Sequence, residues 1–303
     1  FGGVEATFPK GRLEHGLTLA ANAVKEGWEE SGLDARPLEW LCDIERTKTI
    51  TRYYLALRAA GTPAETKITG AAAEPEISDL LAYLRGCGAL IESQPDGAIL
   101  VQGREALTGC CCHAILPDRI EAATYLAAAA ITGGEITVYA SPEHLAAPLA
   151  ALRRMGCHIT TGEQSITLTA PEHLQGAGSI VTLPYPGFPT DLQAIFMALA
   201  AAAEGYTAFT ETVFPRRWAH VEELRRLGAD ITVVGSHAVI RGAPLIGSAL
   251  TCTDLRAGAA VVLAALAAKG ESSVTAISHI ERGYADFVPT LRHLGADICL
   301  TEV

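Results

Sequence analysis

Leu224-Arg225-Arg226-Leu227-Gly228-Ala229 runs directly into Asp230-Ile231-Thr232-Val233, and this stretch decides the fold. Its spacing of apolar residues predicts an amphipathic helix that ends at Gly228 and leads into an apolar strand. The same pattern occurs three more times, at Leu84–Ala89, Leu152–Cys157 and Leu291–Ala296. The leading leucines are 68, 72 and 67 residues apart. Recurrence at such an interval indicates a chain assembled from similar structural units.

A second helix is predicted ahead of each copy, at a similar distance. Three of these helices begin at an aspartate (Asp118, Asp191 and Asp254) and continue through an Ala-rich segment to a glycine. A strand follows the glycine, as in Glu135–Val138, and a hairpin such as Ser165–Ala170 closes the unit. The unit is therefore helix, strand, helix, strand.

The distribution of units predicts two domains. Three units occupy 118–303, whereas 1–117 holds one clear unit and one degenerate unit. In the degenerate unit the helix extends from about Thr49 to Gly61, and its strand lies near Thr66–Thr69. Units of this length suit globular domains built from pseudo-symmetric helix–strand units around buried helices. We therefore predict an α/β (α+β) fold with a domain boundary near Pro117.

The three aspartates have two interpretations. An aspartate just before a helix accepts hydrogen bonds from free backbone N–H groups, which contributes ~1 kcal/mol. We favour this capping role for Asp118. For Asp191 and Asp254, capping and a role in a functional site can hold together, because a helix N-terminus is also a natural anion site.

The composition excludes several classes of protein. Hydrophobic residues make up 49% and charged residues 19% of the 303 residues, which is typical of a folded globular protein. The net charge is −11 and no Lys/Arg-rich run is present, so we predict no nucleic-acid partner. No signal peptide and no apolar segment of spanning length is visible, so we predict no membrane partner and a cytoplasmic location.

The cysteines favour reduced thiols and argue against a metal site. The sequence has 8 cysteines and no C-x-x-C pair, as expected of a cytosolic protein without a zinc ribbon. The run Cys110-Cys111-Cys112-His113 is a poor ligand set, because adjacent residues cannot easily face one ion.

A set of motifs follows in order over roughly 64–303: Ala73–Ile77, Leu116–Glu121, Pro186–Gln193, Glu211–His220, Thr253–Arg256 and His279–Tyr284. Together they resemble the UDP-N-acetylglucosamine enolpyruvyl transferase family. That resemblance implies two domains, each of three such units, with a substrate cleft between them. The sister family, 5-enolpyruvylshikimate-3-phosphate synthase, shares the fold and is the second alternative. Its K-E-x-D-R signature is absent, and Glu74-Pro75-Glu76 and Glu211-Thr212-Val213-Phe214 favour the UDP-sugar family.

The resemblance implies a reaction. The enolpyruvyl group of phosphoenolpyruvate moves to the 3-hydroxyl of UDP-N-acetylglucosamine and phosphate is released, which is the first committed step of peptidoglycan synthesis. It implies no metal, no organic cofactor and a monomer. The chemistry requires a base for the hydroxyl, a proton donor for the methylene carbon, and cations for the carboxylate and the phosphate.

The resemblance also assigns residues. Asp191 is expected beside the sugar hydroxyl as the base or its orienting partner, and Asp254 matches a second carboxylate near the reacting centre. Arg282 matches an arginine at the phosphoenolpyruvate end of the site and completes the expected catalytic set. The expected substrate-binding residues are Arg217, Arg256, Val213 and Thr190. Arginine suits such work because its planar fork holds carboxylate and phosphate bidentately. The alternative for Arg217 and Arg256 is a surface or capping ion pair.

The departures from the family pattern concentrate in residues 1–63. Val4 falls where the family has its loop cysteine. Roughly the first quarter of the family chain, with its lysine–asparagine pair, has no counterpart. We therefore expect a truncated chain or a divergent paralogue that is weakly active or inactive as it stands. The alternative function is a catalytically inactive relative that binds a UDP-sugar or a partner protein.

Pseudo-symmetry makes a prediction about the cleft. Equivalent helix N-termini point towards a common end of a domain, so their partial positive charges converge there. We predict that Asp191, Asp254, Arg256 and Arg282 line one concave surface facing the 1–117 domain. If the acids only cap helices and the arginines point to bulk water, no such convergence is needed.

Overall fold

A computed structural model describes residues 43–46, 49–52, 65–104, 107–108 and 112–301 of the chain, the first two ranges by their backbone alone. The chain divides into two compact units, 1–115 and 116–303, here called unit 1 and unit 2. The division of labour predicted from the sequence, with a UDP-sugar side in 1–117 and a catalytic side in 118–303, stays a prediction.

The described part of unit 1 is a small α/β arrangement. Its elements are β1 (Asp43–Arg46), β2 (Thr49–Arg52), β3 (Glu65–Ile68), α1 (Pro75–Gly86), β4 (Leu90–Ser93) and β5 (Ile99–Gln102). Strands β1 and β2 form an antiparallel pair, and β3, β5 and β4 form an antiparallel sheet in that order. Leu84, Ile91 and Ile99 form the buried cluster between α1 and this sheet.

The prediction for the degenerate unit is partly wrong. We predicted a helix from about Thr49 to Gly61, but Thr49–Arg52 is strand β2, paired residue by residue with β1. The run Thr49-Ile50-Thr51 is β-branched, which favours an extended backbone when a partner strand is present. Residues 53–61 lie outside the described residues. The predicted strand near Thr66–Thr69 is confirmed by β3.

Unit 2 carries the repeats. Its helices are α2 (Arg119–Thr132), α3 (Ala146–Arg154), α4 (Gln193–Ala202), α5 (His220–Arg226), α6 (Leu255–Ala267), α7 (Ser278–Glu281) and α8 (Phe287–His293). Its strands are β6 (Glu135–Val138), β7 (His158–Thr161), β8 (Ile166–Thr169), β9 (Gly178–Val181), β10 (Tyr206–Thr210), β11 (Asp230–Val234), β12 (His237–Arg241), β13 (Ala249–Thr251) and β14 (Ser273–Thr275). Short 3-10 helices, Pro142–Leu145 and Thr190–Leu192, precede α3 and α4.

The first helix of each repeat is buried. Helices α2, α4 and α6 contact one another in all three pairings and form the centre of one apolar core. Their Ala-rich sequences explain this, because small side chains let helix backbones approach closely without leaving voids. Larger residues such as Leu126, Leu199 and Leu263 are fully buried between them, and each contributes about 2 kcal/mol by burial. The predicted buried helices are confirmed.

The second helix of each repeat ends in the same way. A glycine lies two residues beyond the end of each of the helices α1, α3, α5 and α8, and its φ is between +89° and +101°. These glycines are Gly88, Gly156, Gly228 and Gly295. Each glycine is followed by a residue whose N–H donates to the carbonyl of the repeat's leading leucine; the pairs are Ala89–Leu84, Cys157–Leu152, Ala229–Leu224 and Ala296–Leu291. This is a Schellman cap, and it explains the glycine at this point of every repeat.

Sheets cover the helices. Strands β6, β8 and β7 form one antiparallel sheet in that order, so the predicted hairpin at Ser165–Ala170 is confirmed by β8. Strands β11, β12, β10 and β9 form a mixed sheet in which β9 and β10 are parallel, and β13 pairs with β14.

One predicted strand of unit 2 is missing. The sequence pattern places an apolar strand after Gly295, but residues 297–301 form no strand. In the two preceding repeats this strand pairs with the one that follows it, β7 with β8 and β11 with β12. Residues 297–301 pair with no strand among the described residues. Separately, none of the helices described is both long and apolar enough to cross a membrane.

Candidate active site

Asp191 is held between two arginines. It lies in the 3-10 turn Thr190–Leu192 that leads into α4. Arg217 Nη1 donates to Asp191 Oδ1 at 2.8 Å, and Arg256 Nη2 donates to Asp191 Oδ2 at 3.4 Å. The capping interpretation of Asp191 is wrong, because the residue at the cap of α4 is Leu192. Charge-assisted bonds to guanidinium groups hold this carboxylate instead.

Arg217 comes from the loop that joins β10 to α5. Its guanidinium also donates to Thr190 Oγ1 at 3.2 Å and lies over the ring of Phe214, 5.5 Å from the centroid. The side chain is 24% exposed, so it is neither a free surface cation nor a buried one. An open depression beside it is lined by 214–217. Arg217 thus bonds two neighbouring residues of the predicted site, and its substrate-binding role stays a prediction beside the alternative of a surface ion pair.

Arg256 is more deeply placed, in the first turn of α6. Its side chain is 13% exposed and stacks over the ring of Tyr284, with the guanidinium carbon 5.4 Å from the centroid. Burial opposes its charge, but Tyr284, Asp191 and Asp118 outweigh this and raise the pKa of Arg256 above its ordinary value. Burial likewise raises the pKa of the Tyr284 hydroxyl. Arg256 therefore remains a permanent cation beside Asp191.

Asp254 does what its position predicts. Its Oδ1 accepts hydrogen bonds from the backbone N–H groups of Arg256 at 2.9 Å and Ala257 at 2.8 Å, so the capping interpretation is confirmed. The same role is confirmed for Asp118, which caps α2. Burial lowers the pKa of the His220 ring to about 4, and of the two nearby charges Asp254 raises it and Arg217 lowers it. Asp254 and Arg217 thus act on one histidine from different repeats.

Arg282 stands at the edge of this group. Its guanidinium contacts His279 Nδ1 at 3.4 Å, just after α7. Tyr284, two residues further, carries the stacking contact with Arg256, so the 282–284 turn adjoins the network. The structure brings Thr190, Asp191, Arg217 and Arg256 together. The participation of Arg282 and the orientation of this surface towards 1–117 stay predictions.

Glu211 is a residue whose role the sequence did not predict. It is fully buried, and its Oε1 accepts hydrogen bonds from Val213 N and Phe214 N, both at 2.9 Å. Its Oε2 accepts the Thr190 hydroxyl at 2.9 Å. Val213, predicted to bind substrate, thus has its N–H occupied by this carboxylate. The available signal was the acid that opens the motif Glu211-Thr212-Val213-Phe214 directly after an alternating strand.

The fold and the arginine–aspartate network define the class of protein. Repeated helix–strand units around buried helices place two arginines on the two oxygens of Asp191. The EPSP synthase (3-phosphoshikimate 1-carboxyvinyltransferase) family matches residues 48–291. The chain therefore belongs to the enolpyruvyl transferase family, and the predicted resemblance is confirmed.

Individual relatives carry a more specific name than the family model does. The UDP-N-acetylglucosamine 1-carboxyvinyltransferase 1 of Symbiobacterium thermophilum is 47% identical over 245 residues, which is 80% of this chain and 54% of the relative. The UDP-N-acetylglucosamine 1-carboxyvinyltransferase of Synechocystis sp. is 41% identical over 306 residues, which is 99% of this chain and 67% of the relative. The chain spans roughly half to two thirds of the length of these curated relatives.

Solved structures agree on the fold. The enolpyruvyl transferase NikO from Streptomyces tendae superposes with a TM-score of 0.72 and 29% identity, covering 80% of this chain and 59% of the other. EPSP synthase from Acinetobacter baumannii gives a TM-score of 0.64 at 19% identity, covering 82% of this chain and 60% of the other. The predicted α/β (α+β) fold is confirmed by both.

Proposed function

We propose that this chain transfers the enolpyruvyl group of phosphoenolpyruvate to the 3-hydroxyl of UDP-N-acetylglucosamine and releases phosphate. The observation that carries the proposal is the bridge of Arg217, Asp191 and Arg256 on the enolpyruvyl transferase fold. The names of the relatives supply the substrates. The sister-family reaction is less well supported, because the similarity to EPSP synthase of Acinetobacter baumannii is 19% identity.

The chemistry needs an oriented base and fixed cations. In the first step the sugar oxygen bonds to C2 of phosphoenolpyruvate, its proton leaves, and the methylene carbon gains a proton. In the second step the C2–phosphate oxygen bond breaks, and the methyl carbon gives up a proton to restore the double bond. Asp191 accepts or orients the hydroxyl proton, since one arginine on each oxygen fixes its carboxylate. Arg217, Arg256 and Arg282 supply positive charge to the carboxylate and phosphate groups.

The remaining assignments are part of the same proposal. Asp254 stabilises the start of α6 and thereby positions Arg256. Its negative charge also raises the pKa of His220. Thr190 contributes its hydroxyl to Arg217. No group of three His, Cys, Asp or Glu side chains that could hold a metal ion occurs among the described residues.

The test is phosphate release by the purified chain with both substrates present. We expect slow release that requires both phosphoenolpyruvate and UDP-N-acetylglucosamine. Asp191→Asn should reduce it by about a hundredfold or more, as expected for loss of a positioned proton acceptor. The matched control is Asp230→Asn, an exposed aspartate at the start of β11, which should leave the rate unchanged.

Other outcomes distinguish the alternatives. Release that persists in Asp191→Asn contradicts the proposed role of this residue. Calorimetric binding of UDP-N-acetylglucosamine without any phosphate release identifies the inactive relative. Release with shikimate 3-phosphate in place of the UDP-sugar identifies the sister-family reaction.

A further inference from the structure

A single buried carboxylate lies behind the candidate site. Glu211 is fully buried, and four donors reach it within 2.7–2.9 Å: the hydroxyls of Thr182 and Thr190 and the backbone N–H groups of Val213 and Phe214. A buried ionised carboxylate is costly unless its oxygens are hydrogen-bonded. Here both oxygens are hydrogen-bonded, and these bonds fix the Thr190 hydroxyl and the backbone at 213–214.

The bond to Thr190 has a defined direction. A threonine hydroxyl has one proton and two lone pairs. Thr190 gives its proton to Glu211 Oε2, because an ionised carboxylate only accepts. Its lone pairs are then directed away from Glu211, and one accepts from Arg217 Nη1 at 3.2 Å. Arg217 only donates, so its bond uses a lone pair of the Thr190 oxygen, and the bond to Glu211 keeps the hydroxyl proton directed away from Arg217.

The same carboxylate anchors the loop from which Arg217 extends. Oε1 holds the backbone N–H groups of Val213 and Phe214 at the start of that loop. The Thr182 hydroxyl donates to the same oxygen at 2.7 Å and accepts from Thr212 N at 2.9 Å. Glu211 therefore contacts both the loop that leads to Arg217 and the residue next to Asp191.

We propose that Glu211 is a positioning residue for the Arg217–Asp191 pair and acts through the orientation of the Thr190 hydroxyl. The inference rests on the proposed function in that the pair is taken to meet the UDP-sugar. Its central consequence concerns Glu211→Gln. The amide oxygen must take the side with three donors, which leaves the NH₂ group facing Thr190. The hydroxyl then has to accept from the amide, so its proton is no longer held by Glu211 and its lone pair is no longer fixed towards Arg217.

The experiment is a double-mutant cycle read by calorimetric titration with UDP-N-acetylglucosamine. Glu211→Gln and Thr190→Val should each weaken binding roughly tenfold, the value of one hydrogen bond to a charged group. The double variant should bind no more weakly than the single variant with the lower affinity, because both changes remove the same contact. Thr190→Ser keeps the hydroxyl and should recover most of the binding that Thr190→Val loses.

The matched control is Thr207→Val. Thr207 is a buried threonine of β10 whose hydroxyl accepts from Ala177 N at 3.0 Å. This variant should lose stability in urea to a similar extent as Thr190→Val, yet leave binding unchanged. Additive losses in the cycle of Glu211 and Thr190, or equal binding losses in both threonine variants, would overturn the proposal.

A measurement without ligand separates this inference from the proposed function. If the unsubstituted chain binds no UDP-N-acetylglucosamine, the proposed function fails and the network is read by NMR. Bonds to Thr190 and Asp191 slow the rotation and exchange of the Arg217 guanidinium, whose signals are assigned with Arg217→Lys. These signals should broaden in Glu211→Gln and in Thr190→Val but not in Thr207→Val. Unaltered signals in Glu211→Gln would overturn the positioning role.

Discussion

At the scale of single residues, the candidate site is a chain of directed hydrogen bonds. The Thr124 hydroxyl donates to the Ile120 carbonyl at 2.8 Å, so it must accept from the Tyr284 hydroxyl, also at 2.8 Å. The Tyr284 oxygen is thereby free to accept from Arg256. Tyr284 thus fixes Arg256 twice, through its ring and through its oxygen. These contacts connect Thr124 in the core, through Tyr284 and Arg256, to Asp191.

Tyr284→Phe tests that order. The ring remains, so packing and stacking on Arg256 are preserved, but Arg256 loses an acceptor in a buried place. We expect the free energy of unfolding in urea to fall by about 1–2 kcal/mol. The control is Tyr206→Phe, since the Tyr206 side chain is largely exposed and its change should cost less than about 0.5 kcal/mol. Equal small effects would contradict the arrangement.

His220 predicts a pH dependence of stability. Burial, aided by the charge of Arg217 and opposed by that of Asp254, lowers the pKa of His220 to about 4. The unfolded chain therefore binds a proton on this ring between about pH 6.5 and pH 4 that the folded chain does not. The resulting stability is fully present above about pH 6.5. It is lost as the pH falls towards 4, to an extent on the order of 3 kcal/mol.

The measurement is urea unfolding at several pH values between 4.5 and 7. The unsubstituted chain should lose stability more steeply on acidification than His220→Gln, which has no titrating ring at this position. The difference between the two curves, and not either curve alone, reports on His220. Parallel curves would show that the ring is not neutral in the folded state.

At the scale of elements, the sequence predicted what is local. The Schellman caps, the buried Ala-rich helices and the β8 hairpin follow from patterns within about 20 residues. The errors lie where pairing over distance decides. Strand β2 forms because β1 is present to pair with it, whereas residues 297–301 pair with no strand among the described residues.

In the candidate site, too, local contacts were predicted from the sequence and long-range contacts were not. Capping by Asp118 and Asp254 follows from sequence position, since the donors are the next residues of the helix. The contact of Asp191 with Arg256 joins residues 65 apart, and that of Thr124 with Tyr284 joins residues 160 apart. No local pattern predicts which cation reaches Asp191. The capping interpretation of Asp191 was wrong for that reason.

The repeated cap can be tested at Gly228. Its φ of +95° is one that side chains with a Cβ rarely adopt, and a Cβ there would meet only Pro244 O at 3.8 Å. The cost of Gly228→Ala is therefore backbone strain and not a clash. We expect it to destabilise unit 2 by about 1–2 kcal/mol in urea unfolding. Gly228→Asn should cost less, because asparagine tolerates the left-handed region better, and an equal cost would point to packing instead.

At the scale of the whole molecule, the apolar core is unevenly distributed. The large buried cluster extends from Ile120 to Leu291 and lies entirely in unit 2. The described buried cluster of unit 1 consists of Leu84, Ile91 and Ile99. The network around Asp191, from Thr124 to Tyr284, is also contained in unit 2. Among the described residues, the larger apolar core and the contacts of the candidate site therefore lie within 116–303.

A fragment of residues 116–303 should fold by itself as one cooperative unit. Three repeats share one core through α2, α4 and α6, so no repeat can lose its central helix without exposing the other two. Trp218 is the only tryptophan in this range. Its indole N–H donates to the carbonyls of Pro215 and Gly235, so its fluorescence reports on the loop beside Arg217. Circular dichroism at 222 nm reports on the helices.

In urea the two signals should change together, with one midpoint and one slope. A midpoint for Trp218 well below that of the helices would mean that the loop carrying Arg217 melts while the core persists, and that the site depends on more than unit 2. Glu211→Gln sharpens the distinction, because it alters the hydrogen bonds of that loop and leaves the helical core intact. If unit 2 is one cooperative structure, this variant lowers both midpoints equally. If the loop unfolds separately, it lowers the fluorescence midpoint alone.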